Sequence, residues 1–223
     1  MRASVDLSLY LILGPTHGGG DMTSLARQVA AGGVTLIQYR DKTSDTGTMV
    51  EHVRAIRDAL SGTGVPLLVN DRVDVAMAAG ADGVHLGQQD MTPSDARMIL
   101  GPSKIVGLTV KKPDHARAAD PRFIDYASVG GVFETTSKRN PDPPIGIDGL
   151  REMNNILSAA APGLPRCAIA GISQDRIPDV IAAGADGICV IRAITDAAHP
   201  EEAARLLRAT VGAARDKQER RLA

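Results

Sequence analysis

Short apolar runs alternate along the chain with segments in which apolar residues recur at helical spacing. Each apolar run ends in glycine or in polar residues, and the alternation is typical of successive βα units. We predict strands over Leu9–Gly14, Thr35–Arg40, Pro66–Asp71, Gly83–Gly87, Lys104–Val110, Ile124–Val132, Arg166–Gly171 and Gly187–Ala193. We predict helices over Thr23–Ala31, Thr48–Leu60, Ser94–Leu100, Leu150–Ala160 and Asp175–Ala183, and a last helix from about Pro200.

Three segments resemble one another: VAAGGVTLIQ from Val29, VAMAAGADGVHLGQ from Val75 and VIAAGADGICVIRA from Val180. Each combines a helix end, a glycine turn and a strand apolar enough to be buried on both faces. Eight such α/β units favour a single-domain (β/α)8 TIM barrel with an eight-stranded parallel sheet; the main competitor is a doubly wound open sheet. No linker or charge block interrupts residues 1–223, so we predict one domain, with the barrel over about 9–214 and a flexible tail at 215–223.

Composition excludes several classes of function. Hydrophobic residues make up 43% of the 223, the net charge is −1, and aromatic residues are only 2%. Such a chain can bury a large core, has no general attraction for nucleic acid or acidic membranes, and offers no base-stacking platform. Cys167 and Cys189 lack CxxC spacing, which favours buried reduced thiols. With no signal-peptide pattern and no apolar stretch of about 20 residues, we expect a soluble cytoplasmic protein.

Polar residues cluster where the predicted strands end, as in PLLVNDRVDVA from Pro66. In a barrel the ligand site forms at these ends. Asp71 and Asp90 follow neighbouring strands, so their carboxylates could converge on one Mg²⁺ that completes its shell with water and substrate phosphate. Arg40, Lys42 and Lys138 suit diphosphate oxygens. Ordinary surface salt bridging would explain any one of these residues, but enrichment at seven strand ends favours a site.

A second anion site is predicted after the last two strands. Gly171, Ile172 and Ser173 precede a helix, where backbone N–H groups can face an anion, and Arg192 follows the eighth strand. One chain could therefore hold a metal-bound diphosphate and a separate monophosphate.

The residues from about Tyr10 to Ile194 resemble the thiamin phosphate synthase family. The resemblance is carried by QYRDK, LLVNDRVDVAMAAGADGVHLGQQD, GLTV, DYASVGGVFETTSK, PIGIDGL and AIAGIS, and the block from Asn-Asp to Gly-Gln-x-Asp is highly specific. It implies a transferase of thiamine biosynthesis that condenses 4-amino-2-methyl-5-hydroxymethylpyrimidine diphosphate with a thiazole phosphate. In that family the C–O bond to diphosphate breaks first and the thiazole nitrogen attacks the resulting pyrimidine-stabilised cation, so the resemblance implies that no protein nucleophile is needed.

The same resemblance assigns residues to roles. The pyrimidine diphosphate is expected to contact Gln38, Tyr39, Arg40, Asp41, Lys42, Asn70, Thr109 and Lys138, of which Arg40, Lys42, Thr109 and Lys138 would act in catalysis. The thiazole phosphate is expected to contact Thr135, Thr136, Ser137, Gly171, Ile191 and Arg192. Asp71 and Asp90 are expected to hold one Mg²⁺ per subunit. The partners implied are these small molecules, and the sequence leaves a homodimer open.

Four positions depart from the family pattern. Thr109 and Arg192 stand where serine is common, Glu134 where proline is usual, and Ala170 where glycine is common. Three of the four changes fall in the thiazole phosphate half of the predicted site.

Two other functions are compatible with parts of this pattern. A thiazole tautomerase of the same superfamily would need a general acid or base, for which His115 is the main candidate, because His85 is mid-strand and is expected to be structural. A non-catalytic module that binds thiamin phosphates could keep the anion site, but would not need both Asp71 and Asp90.

Overall fold

The computed structural model describes residues 5–135 and 142–222, and within these ranges eight parallel strands close into a barrel. The strands are β1 (Leu9–Leu13), β2 (Leu36–Tyr39), β3 (Leu67–Asn70), β4 (Gly83–Leu86), β5 (Ile105–Val110), β6 (Tyr126–Val129), β7 (Arg166–Ile169) and β8 (Gly187–Val190). Each strand pairs with the next in sequence, and β8 pairs with β1, where Tyr10 lies opposite Cys189. The predicted TIM barrel is confirmed, and the open sheet is wrong because pairing of β8 with β1 leaves no free edge.

Helices follow the strands and cover the outside of the barrel. They are α1 (Met22–Ala31), α2 (Thr46–Ala59), α3 (Val73–Ala79), α4 (Pro93–Leu100), α5 (Pro113–Arg117), α6 (Gly146–Ala160), α7 (Ile177–Ala182), α8 (Arg192–Thr195) and α9 (Pro200–Leu222). Helices α5 and α8 are too short to show a periodic pattern in the sequence. Helix α9 includes residues 215–222, which were expected to form a tail. No helix of the described ranges is long and apolar enough to cross a bilayer.

Alternate residues of each strand face two different apolar layers. Leu9, Leu11 and Leu13 of β1 point outward into the large layer between barrel and helices. Tyr10 and Ile12 point inward and pack with Cys189 and other residues of the barrel interior. This period of two places every second residue of a strand within the barrel, and the inward residue nearest the carboxyl end is the one that can reach a ligand.

At the opposite, amino-terminal end of the barrel, the same type of hydrogen bond between neighbouring strands occurs four times. The residue before each even-numbered strand accepts, through its side chain, a hydrogen bond from a backbone N–H at the start of the preceding strand. The pairs are Thr35 with Leu9 (3.1 Å), Asp82 with Leu67 (2.8 Å), Asp125 with Val106 (2.7 Å) and Asp186 with Arg166 (2.8 Å). The glycine after Asp82 is required, because a Cβ at Gly83 would lie 1.9 Å from the carbonyl oxygen of Ile105. The GADG segments repeated in the sequence therefore mark places where an aspartate side chain hydrogen-bonds to the backbone of the preceding strand.

Candidate active site

A cavity of about 1010 Å³ opens at the carboxyl ends of the strands. Eight of the predicted site residues line it: Gln38, Arg40, Asn70, Thr109, Thr135, Gly171, Ile191 and Arg192. They come from β2, β3 and β5 and from the segments after β2, β6, β7 and β8, and they meet because all parallel strands end at the same mouth. Apolar residues such as Ile12, Ile169 and Val190 line the cavity between the polar groups.

A hydrogen-bonded chain of polar side chains, which we call the inner chain, crosses the barrel interior beneath the cavity. It runs from Gln38 through Tyr10, Tyr126 and His85 to Thr109. The two phenol oxygens are 2.9 Å apart, Nδ1 of His85 is 2.8 Å from the Tyr126 oxygen, and Nε2 is 2.8 Å from the Thr109 hydroxyl.

Burial keeps the two phenols of the inner chain protonated. Tyr10 and Tyr126 are fully buried, and burial raises the pKa of both phenols well above its ordinary value, so both keep their protons. His85 is buried and its ring stacks on Tyr126 at 5.6 Å between centroids. Gly107 makes room for this arrangement, because a Cβ there would lie 2.1 Å from the Tyr126 ring.

Asp71, Asp90 and Lys42 form a charged group beside Asn70, at the ends of β2, β3 and β4. Lys42 pairs with Asp71, whose carboxylate is close enough to that of Asp90 to share a hydrogen bond. Burial, together with the charge of Asp71, raises the pKa of Asp90. Burial acts on Asp71 too, but hydrogen bonds from Asp90 and Lys42 outweigh it and lower the pKa of Asp71. Two adjacent carboxylates of this kind fit a hard divalent cation that keeps some of its waters.

The backbone at Asp71 turns sharply to make this group. Asp71 has φ +62°, in the left-handed region that aspartate tolerates better than most residues. Its N–H donates to the carbonyl of His85 at 2.9 Å, which holds the end of β3 against β4. The next residue, Arg72, turns outward and pairs with Asp74 at 2.5 Å. The dense polar cluster after β3 thus combines one site carboxylate with an outward ion pair.

Asp41 serves the structure of its own loop. Its carboxylate accepts hydrogen bonds from the backbone N–H groups of Thr43 (2.8 Å) and Ser44 (3.1 Å), and from the Tyr39 hydroxyl (2.9 Å). Burial would raise the pKa of Asp41, but these bonds outweigh it and hold that pKa well below its usual range. The Tyr39 ring lies in the outer apolar layer, within hydrogen-bonding distance of His52 (2.9 Å). Neither side chain lines the cavity, so both brace the loop that carries Arg40 and Lys42.

The far end of the cavity is built by the segment after β7. Ala170 has φ +93°, an uncommon conformation for a residue with a Cβ. A Cβ on Gly171 would lie 2.2 Å from the carbonyl oxygen of Glu134, so only glycine allows the segments after β6 and β7 to approach this closely. The Glu134 side chain is exposed at the rim. Ser173, also on the cavity wall, ends this turn.

Two arginines stand at this end. Arg192 donates from Nε to Asp196 at 2.6 Å across one turn of α8, and both residues line the cavity. Arg192 therefore forms an ion pair with Asp196 of its own helix. Arg176, which sequence reasoning missed, packs its guanidinium over the ring of Phe133 at 4.3 Å and donates to the carbonyl of Gly171 at 2.7 Å.

Some predictions fall elsewhere. Thr136, Ser137 and Lys138 lie outside the described residues. His115, the proton-transfer candidate of the tautomerase alternative, is held on α5, where its Nδ1 accepts from the Lys111 N–H at 3.4 Å, and it does not line the cavity. The two cysteines are buried and free, as predicted, and burial raises the pKa of Cys167 to about 12.

Tyr10, Tyr126 and Arg176 line or support the cavity without having been predicted. The two tyrosines face inward from the middle or the start of strands, whereas the sequence prediction relied on polar residues at strand ends. A usable signal existed, because the chain has only three tyrosines and Gly107, opposite Tyr126 in the β5–β6 register, removes a side chain. Arg176 lies five residues after Gly171 in GISQDR, a distance that one turn can bring back to the loop.

Comparisons with known proteins agree on one family. A family model described as thiamine monophosphate synthase matches residues 9–194. A thiamine-phosphate synthase of Agrobacterium fabrum is 53% identical over 96% of this chain and 94% of its own, and one of Moorella thermoacetica is 44% identical over 94% and 98%.

Solved structures extend this similarity to the fold. A thiamine phosphate pyrophosphorylase of Pyrococcus furiosus superposes with a TM-score of 0.82 at 33% identity, covering 95% of this chain and 98% of that one. An orotidine 5'-phosphate decarboxylase of Pyrococcus horikoshii reaches a TM-score of 0.67 at 17% identity over 92% and 99%, a likeness that concerns the barrel alone.

Proposed function

Because the chain belongs to the thiamine monophosphate synthase family, we propose that its cavity binds a pyrimidine diphosphate and a thiazole phosphate side by side and joins them. The family's reaction is the condensation that forms thiamine phosphate, and this chain is an enzyme of that transferase class. The observation that carries the assignment of substrates to places is the difference between the two ends of one cavity. Arg40 and the amides of Gln38 and Asn70 line one end, and a glycine turn with two arginines forms the other. Lys42, Asp71 and Asp90 do not line the cavity itself but lie beside Asn70 at the first end.

The pyrimidine diphosphate half would lie over β2 to β5. Arg40 and Asn70 line the wall on that side, Lys42 stands just outside it, and Gln38 and Thr109 close it from below. Arg40 would bind diphosphate oxygens through its planar guanidinium. Lys42 would break its ion pair with Asp71 and bind the substrate as a point charge. Lys138 would add a further cation, and its contribution stays a prediction.

Asp71 and Asp90 would hold one Mg²⁺ per subunit. Two facts support the fit: the carboxylates adjoin, and the pKa of Asp90 is raised by burial and by Asp71, a repulsion that a bound cation relieves. When bound, the ion would offset charge that develops on the leaving diphosphate. Within the described part of the chain no group of three or more His, Cys, Asp or Glu side chains suits a metal ion, so the remaining ligands would be substrate oxygens and water.

The thiazole phosphate would lie at the opposite end. Backbone N–H groups of Gly171 to Ser173 are available to an anion there, with Arg192 and Arg176 as flanking cations. Thr135 lines the same wall, and Thr136 and Ser137 are predicted to join it. This arrangement would aim the ring of the thiazole toward the centre of the cavity.

The chemistry then needs alignment and charge stabilisation more than proton transfer. The protein residues would hold the departing diphosphate with cations, keep the reacting ring in place, and exclude water from a carbocation that water would otherwise capture. Ile12, Ile169 and Val190 supply apolar wall for this purpose. His85 lines the cavity, but its two ring nitrogens are engaged with Tyr126 and Thr109, so it is not placed to activate a serine or a cysteine as a nucleophile.

Two finer expectations accompany this proposal. We expect the small-molecule substrates to be the partners of the site, and the cytoplasmic location inferred from the sequence stays a prediction; the sequence leaves a homodimer open.

The decisive experiment measures pyrophosphate release from the purified protein. Release should require the pyrimidine diphosphate, the thiazole phosphate and Mg²⁺ together, and thiamine phosphate should appear in equal amount. Reactions that omit the thiazole phosphate or contain a chelator serve as controls. Release that proceeds at the same rate without the thiazole phosphate would indicate that water takes the place of the thiazole, that is, a hydrolase that releases pyrophosphate. Tight binding with no release would indicate a binding module.

A further inference from the structure

The inner chain joins two residues on opposite sides of the cavity. Gln38 is on β2 and Thr109 is on β5, and both line the cavity. Tyr10, Tyr126 and His85 connect them, and of these three Tyr10 and His85 also form part of the cavity wall. Tyr10 and Tyr126 are fully buried and His85 is 7% exposed, so neither phenol can replace a lost partner with bulk water. The inner chain is therefore continuous, and its two phenols depend on their neighbours in it for hydrogen bonds.

A chain of this kind can run in only one direction at a time. A phenol has one proton to donate, and a neutral imidazole has one donor nitrogen and one acceptor nitrogen. If the Gln38 amide nitrogen donates to Tyr10, then Tyr10 donates to Tyr126, Tyr126 donates to Nδ1 of His85, and Nε2 donates to Thr109. Reversing one link would place two protons or two lone pairs face to face in a buried space, which is unfavourable.

The direction decides what each end offers to a ligand. In the direction found in the structure, the amide nitrogen of Gln38 donates to Tyr10, so its carbonyl oxygen is the group left for the cavity. At the other end, Thr109 accepts from His85 and keeps its own proton for the cavity. In the reverse direction Gln38 would present its N–H₂ group, and Thr109 would only accept.

Diphosphate oxygens accept hydrogen bonds and do not donate them when ionised. An anion at the Thr109 end therefore favours the direction in which Thr109 donates. By the continuity of the chain, that same direction makes Gln38 an acceptor on the opposite side of the cavity.

We propose that the inner chain couples the two ends of the pyrimidine site, so that a diphosphate at Thr109 sets Gln38 to accept a hydrogen bond and thereby selects a ring with an exocyclic amine over the same ring with an oxo group. This inference rests on the proposed function for the nature of the substrate. Tyr10, Tyr126 and His85 act in it as positioning residues, because they work through Gln38 and Thr109.

The test compares two ligands in four proteins. The ligands are the 4-aminopyrimidine diphosphate and its 4-oxo analogue, and the preference is the ratio of their dissociation constants, measured by calorimetry without the thiazole phosphate. The proteins are wild type, Tyr10→Phe, Tyr126→Phe and the double variant. Each single substitution should reduce the preference by about three- to tenfold, the value of one neutral hydrogen bond. The double variant should lose no more than either single one, because the same chain is already broken.

Three further variants keep the result interpretable. Cys167→Ala removes another small polar group of the same inner layer, 3.5 Å from Ser128 and outside the inner chain, and it should retain the wild-type preference. If the tyrosine variants fail to fold, Thr109→Val should lower the ring preference from the far side of the cavity, and Thr109→Ser should restore it.

The outcomes separate this inference from the proposed function. Folded Tyr126→Phe or Thr109→Val protein with the wild-type preference would overturn the inference, as would losses that simply add in the double variant. Wild-type protein that binds neither ligand and releases no pyrophosphate would overturn the proposed function, and the inference with it. Normal turnover with an unaltered preference in the variants would overturn the inference alone.

Discussion

Because Asp71 and Asp90 are adjacent carboxylates, we predict that Asp90→Asn will sharply reduce turnover and yet stabilise the metal-free protein. Asp90→Asn removes one of two adjacent negative charges and keeps an oxygen that can accept from the N–H of Gly87, 2.7 Å away. Two unit charges about 4 Å apart repel by ~1 kcal/mol in water and ~4 kcal/mol at an effective dielectric constant of 20. Because the pair is half-buried and Lys42 offsets part of the repulsion, we expect a gain of about 1 kcal/mol, or roughly 2–4 °C in Tm.

Bound Mg²⁺ should make the wild type more stable than Asp90→Asn, the reverse of the order expected without metal. An ion present at a hundred times its Kd stabilises the wild type by about 2.7 kcal/mol, more than the variant gains. Asp90→Asn should show little Mg²⁺-dependent change in Tm and should lose about 10³-fold in turnover, which corresponds to ~4 kcal/mol of transition-state stabilisation. Asp71→Asn should lose activity to a similar extent with its fold intact.

The assay is thermal unfolding with chelator and with Mg²⁺, alongside pyrophosphate release. Asp74→Asn is a matched control, because Asp74 is a nearby carboxylate in an outward ion pair with Arg72, and its removal should neither stabilise the protein nor reduce turnover.

The pH dependence of stability follows from the raised pKa of Asp90. Protonation of Asp90 in the folded state relieves the repulsion, so the extra stability of metal-free Asp90→Asn over wild type should be present at neutral pH and shrink as the pH falls through that pKa. An active Asp90→Asn that still responds to Mg²⁺ would refute the metal assignment.

Three further predictions concern the thiazole phosphate end and the loop beside it. Arg192→Ser should raise the thiazole phosphate KM by roughly ten- to a hundredfold, the value of a charge-assisted contact of ~1.5–3 kcal/mol, while the pyrimidine KM changes much less; equal thiazole KM values would mean that Arg192 stays paired with Asp196 during binding. Ala170→Gly should stabilise the protein by up to about 1 kcal/mol, because φ +93° costs a residue with a Cβ more than glycine loses in chain entropy, and a lower Tm would contradict this. The sequence predicts a long, proline-rich loop from Phe133 to Ile147, of which residues 136–141 lie outside the described part of the chain and Gly146 and Ile147 belong to α6. If it closes over the substrates and brings Lys138 to the diphosphate, hydrogen exchange there should slow when both substrates bind; unchanged exchange at saturating ligand would count against a lid.

Much of this barrel follows from local sequence pattern. Apolar runs that are buried on both faces can only be interior parallel strands, and their regular alternation with helical segments leaves few topologies. The strand centres were predicted correctly, although runs such as Gly187–Ala193 were taken too long, because the apolar pattern continues into the turn after β8. The same regularity predicted Gln38, Arg40, Asn70 and Thr109 at one cavity, since the carboxyl ends of all eight parallel strands surround the same mouth.

What the tertiary structure decided is the partner of each polar side chain. Asp41 and Arg40 are neighbours in sequence, yet Asp41 turns to the N–H groups of its own loop while Arg40 faces the cavity. Arg192 meets Asp196 on its own helix turn. The physical reason is that periodicity fixes which face a residue occupies, whereas a hydrogen bond depends on distances of tenths of an ångström between segments far apart in sequence. The link from Tyr10 to Tyr126 spans 116 residues and exists only because the barrel closes.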